Sequence, residues 1–414
     1  MAERIPKEDL LARMVEIVCD PEHPLMAAAI GVMKDGQILF ADAVGHKNLK
    51  GDPATGDTKF RIASISKLST AIAAWQLIEQ GLLDPDGDVS QYIGFSLRNP
   101  NYPDTPITVR MLLSHTSSIR EGPWTYNIPY GHFLSEFFTE GKPYHYPGCW
   151  APAGEAPGEF FTYCNMNYCL MGSVIETISG ERFDQYMIRH VYEPMGLSCS
   201  FNVPGMPGDV KEQVGTLYRK LDQDGKYDAQ NGIWTAQVDD FTQGYPQADF
   251  SDYVLGTNGS LFGPMGSLRV SVKELCKLMQ MFCNGGSYNG VQILKPESVE
   301  RMFTPVWTYD PVLQNGSTYN SQMNCYGMGP HIFLNVDKGD RLVQGQDLPF
   351  AGHTAEAYGL VGGMSFDRKK GNGLVYFVAG LGSDPEQYSG SYSSFYGWEE
   401  ALLTAGAWFA GFDY

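Results

Sequence analysis

The chain has 414 residues, more than one average core needs, so one large domain or two intertwined lobes is expected. Apolar residues make up 43% and charged residues 18%, ordinary globular usage that excludes a disordered chain. The net charge of −18, from 29 Lys+Arg against 47 Asp+Glu with no basic cluster, argues against nucleic acid as a partner.

The first residues, MAERIPKEDLLARMVEIV, are charged and amphipathic; a helix is expected from about Lys7 to Val18. They lack the apolar core of a secretory signal, and no stretch has the length of a membrane span. As written, the chain reads as cytoplasmic, or as periplasmic or secreted if a leader has been trimmed. Next, MAAAIGVM (Met26 to Met33), a turn at Lys34-Asp35-Gly36 and QILFADAVG read as an antiparallel hairpin. Ser64 to Gln80 has Ile65, Leu68, Ile72 and Trp75 near the helical period, and Gly81 ends it. ITVRMLLSH and the stretch Asn167 to Ile178 are further expected helices. The segment Asp239 to Asp252 is acidic, aromatic and aperiodic, a surface loop that could wall a pocket. SVKELCKLMQMFCNGG opens on a capping box, Ser271 and Glu274, and stops at Gly285. Ala357 to Asp367, the loop RKKGNG and Leu374 to Leu381 make a second hairpin, and a last helix runs from about Phe395 to Phe409. Both termini thus build one α/β lobe, residues 1–80 plus 265–414, with a helical and loop-rich lobe, residues 81–264, inserted between.

Cys19, Cys149, Cys164, Cys169, Cys199, Cys276, Cys283 and Cys325 show no Cys-x-x-Cys pair and read as free thiols of a reducing compartment. The eight histidines show no His-x-His or His-Glu-x-x-His spacing, so a zinc enzyme is not expected.

The chemistry begins at Ser64-Ile65-Ser66-Lys67. A three-residue offset at a helix start puts Ser64 and Lys67 on one face. A serine hydroxyl is a poor nucleophile until a base takes its proton, and a partly desolvated lysine can serve. Alone, the tetrapeptide reads more readily as an N-cap serine and a solvated lysine.

Its context, FRIASISK, resembles the nucleophile motif of penicillin-binding proteins and class C β-lactamases, whose pattern is Ser-x-x-Lys, Tyr-x-Asn, Lys/His-Thr-Gly. The second element stands at Tyr163-Cys164-Asn165, with Pro157-Gly158 before it and Tyr168 after it as in the family. The third is Gly352-His353-Thr354-Ala355-Glu356, with Ala355 in place of glycine. ITVRMLLSHTSSI is similar to the family's Leu-Leu-x-His-Thr-Ser-Gly-Leu segment, with Ser118 where glycine is usual and His115 read as a packed histidine. GPMGSLRVSVKELCKLM and ILKPESVERM also match, so the resemblance runs from about Phe60 to Gly382.

The resemblance, which extends to DD-peptidases, family VIII esterases and D-aminopeptidases, implies an α/β fold: an antiparallel sheet flanked by helices, with an inserted mostly helical lobe. It implies Ser64 as nucleophile, Lys67 as base and Tyr163 as proton shuttle, part of it held as phenolate by Lys67. Asn165, His353, Thr354, Ala355 and Glu356 would bind substrate, with the N–H groups of Ser64 and Glu356 as the oxyanion hole. The implied activity is hydrolysis or acyl transfer on small esters, amides or D-amino-acid peptides. A β-lactamase or penicillin-binding DD-peptidase, and an inactive binding protein using the same cleft, are the alternatives. The partner is then a small molecule or short peptide, and the resemblance implies that no cofactor or metal is needed. The aromatics Trp124, Tyr126, Tyr130, Trp234, Phe241 and Tyr245 are expected either to wall a pocket or to lie scattered on the surface.

Overall fold

The computed structural model describes residues 4–414. Ten strands form its main sheet: β1 (Leu25–Lys34), β2 (Gln37–Gly45), β3 (Leu217–Leu221), β4 (Ile233–Val238), β5 (Trp307–Thr308), β6 (Cys325–Tyr326), β7 (His331–Ile332), β8 (Ala351–Ala357), β9 (Leu360–Asp367) and β10 (Asn372–Leu381). Five longer helices matter to the argument: α1 (Lys7–Val18), α2 (Ser66–Glu79), α3 (Met166–Ser179), α4 (Val272–Cys283) and α5 (Gly397–Ala410).

The sheet order is β2-β1-β10-β9-β8-β7-β6-β5, antiparallel throughout this path. The N-terminal hairpin therefore lies beside the C-terminal one, as both termini building one lobe requires. The apolar run in β1 is continuous because both faces are covered. Ala27, Ala29 and Met33 enter the core shared with α2, α3 and α4, whereas Ala28, Ile30 and Val32 enter the core shared with α1 and α5. Strand β10 alternates in the same way, with Val375, Phe377 and Ala379 on one side and Leu374, Tyr376 and Val378 on the other. The result is helix, sheet, helix: three layers with two cores. Close approach of α4 depends on Gly31, where a Cβ would lie 2.2 Å from Cys276 Sγ.

Three local features differ from expectation. The 3-10 turn Ala63–Ile65 precedes α2, so Ser64 stands before the α-helix rather than on its first turn. The third motif is itself a strand, β8, and Tyr358-Gly359 turns it into β9 with both residues at positive φ, the geometry of a tight hairpin. The hairpin β3–β4 lies within residues 81–264 yet joins the main sheet, with Arg219 of β3 alongside Leu381 of β10. The Asp239–Asp252 segment contains no helix or strand. All eight cysteines are free, and among the described residues no helix is long and apolar enough to cross a membrane.

The turn after the short helix Val109–Leu113 carries His115 at φ 57° and Ser118 at φ 64°. Left-handed backbone costs a residue with a Cβ roughly 1 kcal/mol relative to glycine. Among the described residues, Ser118 Oγ accepts one long hydrogen bond, 3.3 Å from Asn99 Nδ2. Ser118→Gly is therefore expected to be about 1 kcal/mol more stable than Ser118→Ala, read from urea midpoints. Equal midpoints would show that the turn stores no such strain.

Candidate active site

The site begins where the strand Lys59–Arg61 pairs with Arg269–Ser271. A buried ion pair between Lys59 and Glu274 ties this strand to the capping box of α4, where Glu274 N–H donates to Ser271 Oγ. Two residues past the strand, Ala63 adopts φ 46°, a left-handed conformation that costs energy and turns the chain into the 3-10 turn carrying Ser64. Ser64 makes no side-chain cap bond, so the capping alternative for it does not hold.

Lys67 is fully buried. Its Nζ lies 3.1 Å from Ser64 Oγ, 2.7 Å from Asn165 Oδ1 and 2.7 Å from the Met265 carbonyl oxygen. Burial pushes its pKa down to about 7, against the pull of the Glu121 carboxylate. Two of its three partners can only accept. A neutral amine therefore donates its two hydrogens to Asn165 and Met265 and turns its lone pair to the Ser64 hydroxyl.

Tyr163 lies across from this pair. Its ring, not its oxygen, faces the lysine, with Nζ 4.8 Å from the ring centroid. Tyr163 Oη is buried without a hydrogen-bond partner, although Ser64 lies close enough to favour its ionised form. Burial outweighs that and raises the phenol well above its usual pKa. The resting tyrosine is a neutral phenol, which corrects the expectation of a phenolate held by Lys67.

Two histidines support the tyrosine from behind. His115 stacks on its ring at 4.3 Å and accepts the Cys164 N–H at Nδ1, 3.1 Å away. His353 lies 5.9 Å from it, ring to ring, and is completely buried. The Thr354 carbonyl lies 2.6 Å from His353 Nδ1 and can only accept, so Nδ1 carries the proton and Nε2 accepts from Tyr326 OH at 2.7 Å. Burial and the nearby Lys67 keep both imidazoles neutral.

Ser64 and Tyr163 open onto one small cavity of about 130 Å³, whose wall includes Thr354, Ala355, Glu356, Gln322, Met323 and Tyr396. The third motif is thus brought to the first two, except that His353 sits behind the strand. Asn165 also points away from the cavity wall: its Oδ1 meets Lys67 and its Nδ2 donates to Glu121 Oε1 at 2.8 Å. Strand β8 pairs with β7 only at Ala351 and Gly352, so its outer edge from His353 to Ala357 is free of a strand and faces the Ser64 turn. A larger cavity of about 810 Å³, lined by Trp234, Phe241 and Tyr245 among others, contains none of the three motifs. Trp124 packs with both Tyr126 and Tyr358 instead, and Tyr130 meets Phe250, so the six aromatics do not wall one pocket.

The family model described as Beta-lactamase matches residues 18–393. The chain belongs to the beta-lactamase family. It is 29% identical over 187 residues to penicillin-binding protein 4 of Amycolatopsis lactamdurans, covering 44% of this chain and 46% of that protein. A relative from Escherichia coli (strain K12), 26% identical over 297 residues, is covered to 63% of its length, so the chain spans less than two thirds of these curated relatives. Among solved structures, the octameric penicillin-binding protein homologue from Pyrococcus abyssi superposes with a TM-score of 0.66 at 23% identity, covering 98% of this chain and 78% of that one. The D-amino acid amidase of Ochrobactrum anthropi SV3 gives 0.61 at 18% identity, with 90% and 92% covered. These likenesses show that the chain shares the overall fold of those two structures.

Glu121, Gln322, Met323 and Tyr396 escaped the sequence reading. None belongs to a spaced motif, and only tertiary packing brings them to the site. Lys67 is expected to titrate near pH 7, followed by lysine ¹³Cε NMR and assigned by its absence in Lys67→Met. Between that pH and the usual lysine range the unfolded chain holds a proton that the folded chain lacks, so this group adds stability as pH rises. A midpoint near 10 would contradict the buried-amine geometry.

Proposed function

We propose that this protein is a serine acyl-transfer enzyme that forms an acyl-enzyme on Ser64. The observation that carries the reading is the Lys67 amine, desolvated and held with its lone pair on the Ser64 hydroxyl. Lys67 takes the Ser64 proton as Oγ bonds to the substrate carbonyl. The N–H groups of Ser64 and Glu356, on either side of the free edge of β8, receive the oxyanion, an interaction worth about 3–4 kcal/mol in comparable sites.

Tyr163, a neutral phenol, protonates the leaving group as the carbonyl reforms. Lysine is then cationic and tyrosine anionic, an ion pair confined to the buried site. In the second half, Tyr163 takes a proton from water or an acceptor alcohol or amine. Ser64 leaves with the proton held by Lys67, and all three groups return to their starting states. Both residues thus act once in each direction, and no charge is left in the site.

The cavity wall supports a small substrate. A cavity of about 130 Å³ is well below the size of drug-like pockets, and the Ala355 methyl narrows it beside the strand edge. Small esters, amides or D-amino-acid peptides suit it better than bulky acyl groups. Ser64→Ala is expected to abolish p-nitrophenyl butyrate hydrolysis while circular dichroism stays unchanged, and Tyr163→Phe to lower kcat roughly a hundredfold or more. Full activity in either folded variant would refute the assignment.

A further inference from the structure

Glu121 lies outside the three motifs and is absent from the cavity wall. Its carboxylate is surrounded by donors. Oε1 accepts from the Asn165 backbone N–H and from Asn165 Nδ2, each at 2.8 Å; Oε2 accepts from the Met166 N–H at 2.7 Å and from Cys164 Sγ at 3.3 Å. Asn165 and Met166 begin α3, so Glu121 caps that helix from a distant segment, in place of any local side-chain cap. Burial raises its carboxyl above the usual range, and the three N–H donors oppose that rise. With every neighbour a donor, an acceptor-only carboxylate fits.

Helix capping accounts for the two backbone N–H groups and leaves the contact from Asn165 Nδ2 unexplained. A carboxamide can present either oxygen or nitrogen to a neighbour, and little else distinguishes the two orientations. Glu121 decides between them. Because the carboxylate accepts only, Asn165 must turn Nδ2 toward it, and Oδ1 is then the atom that reaches Lys67. In the opposite orientation Nδ2 would donate to the amine and compete with Ser64 for its lone pair.

We propose that Glu121 is a positioning residue of the acyl-transfer reaction: it fixes the orientation of Asn165 and thereby aims the Lys67 lone pair at Ser64. This rests on the acyl-transfer reading above. The carboxylate acts on Lys67 in a second way, since its negative charge favours the ammonium form. Glu121 therefore fixes the direction of the base and opposes the fall in its pKa that burial imposes.

The test compares wild type, Glu121→Gln and Glu121→Asp by two readouts. The first needs no turnover: the lysine ¹³Cε titration of Lys67 is expected to fall by about half a pH unit or more in Glu121→Gln and to stay in place in Glu121→Asp. The second is the pH profile of p-nitrophenyl butyrate hydrolysis. In Glu121→Gln its acidic limb is expected to move with the NMR midpoint while kcat drops about tenfold or more and KM stays within about twofold. An unmoved Lys67 midpoint in folded Glu121→Gln would overturn the proposal, as would a change confined to KM, which would place Glu121 on the substrate.

Should Glu121→Gln fail to fold, Asn165→Ser breaks the same link while keeping the carboxylate. Its kcat is then expected to fall about tenfold or more, and an unchanged kcat would overturn the proposal. Inactivity of wild type itself, with the Lys67 midpoint still moving in Glu121→Gln, would overturn the acyl-transfer reading and leave the positioning of Lys67 intact.

Discussion

The organisation of this protein depends on one buried amine. Moving a lysine pKa from its ordinary value to about 7 corresponds to roughly 5 kcal/mol of differential stabilisation between its two protonation states. A surface lysine could not be held in this way. The shift requires α2 to run between the sheet and α3 with its whole first turn excluded from water, and Ser66, Lys67, Leu68 and Ser69 are all buried. Three fixed oxygens then choose the amine's orientation. The fold supplies the low dielectric, and Asn165, Met265 and Ser64 supply the geometry.

The groups around that amine come from separate parts of the chain, and each is held by something other than a flexible loop. Ser64 is carried by a strained turn anchored through the strand Lys59–Arg61 and the Lys59–Glu274 ion pair. Asn165 sits at the N-terminus of α3 under the carboxylate of Glu121. Thr354, Ala355 and Glu356 belong to β8, whose one side is fixed by pairing with β9 and whose other side is open. His115 and His353, both neutral, fill the space behind Tyr163 and fix its ring. Preorganisation of this kind lowers the cost of aligning reacting groups, since little has to move when substrate arrives.

Much of this was legible in the sequence because it is written in local signals. Gly36, Gly81 and the Ser271–Glu274 box mark real element ends, and the unbroken apolar run of β1 fits a strand covered on both faces. The motif residues kept their spacing, so Ser64, Lys67 and Tyr163 could be named without coordinates. What stayed hidden depends on burial and on distant contacts. The protonation of Tyr163 is one such property: Lys67 approaches its ring face, burial raises the phenol, and residue type says nothing of either. Glu121 carries no periodicity or motif, and its four donors come from residues more than forty positions away. The β3–β4 hairpin, with Arg219 and Lys220 within LYRKL, lacks the apolar alternation that would have marked it.

In the proposed reaction, every step depends on an uncharged Lys67 activating Ser64. The rate at which a fluorophosphonate modifies the protein, followed by intact mass and peptide mapping from pH 5 to 9, addresses this most directly. The account predicts a single adduct on Ser64 whose rate of formation rises with a midpoint near pH 7, the value at which the buried amine loses its proton. Labelling of another residue, or a Ser64 adduct formed at the same rate across that range, would contradict it.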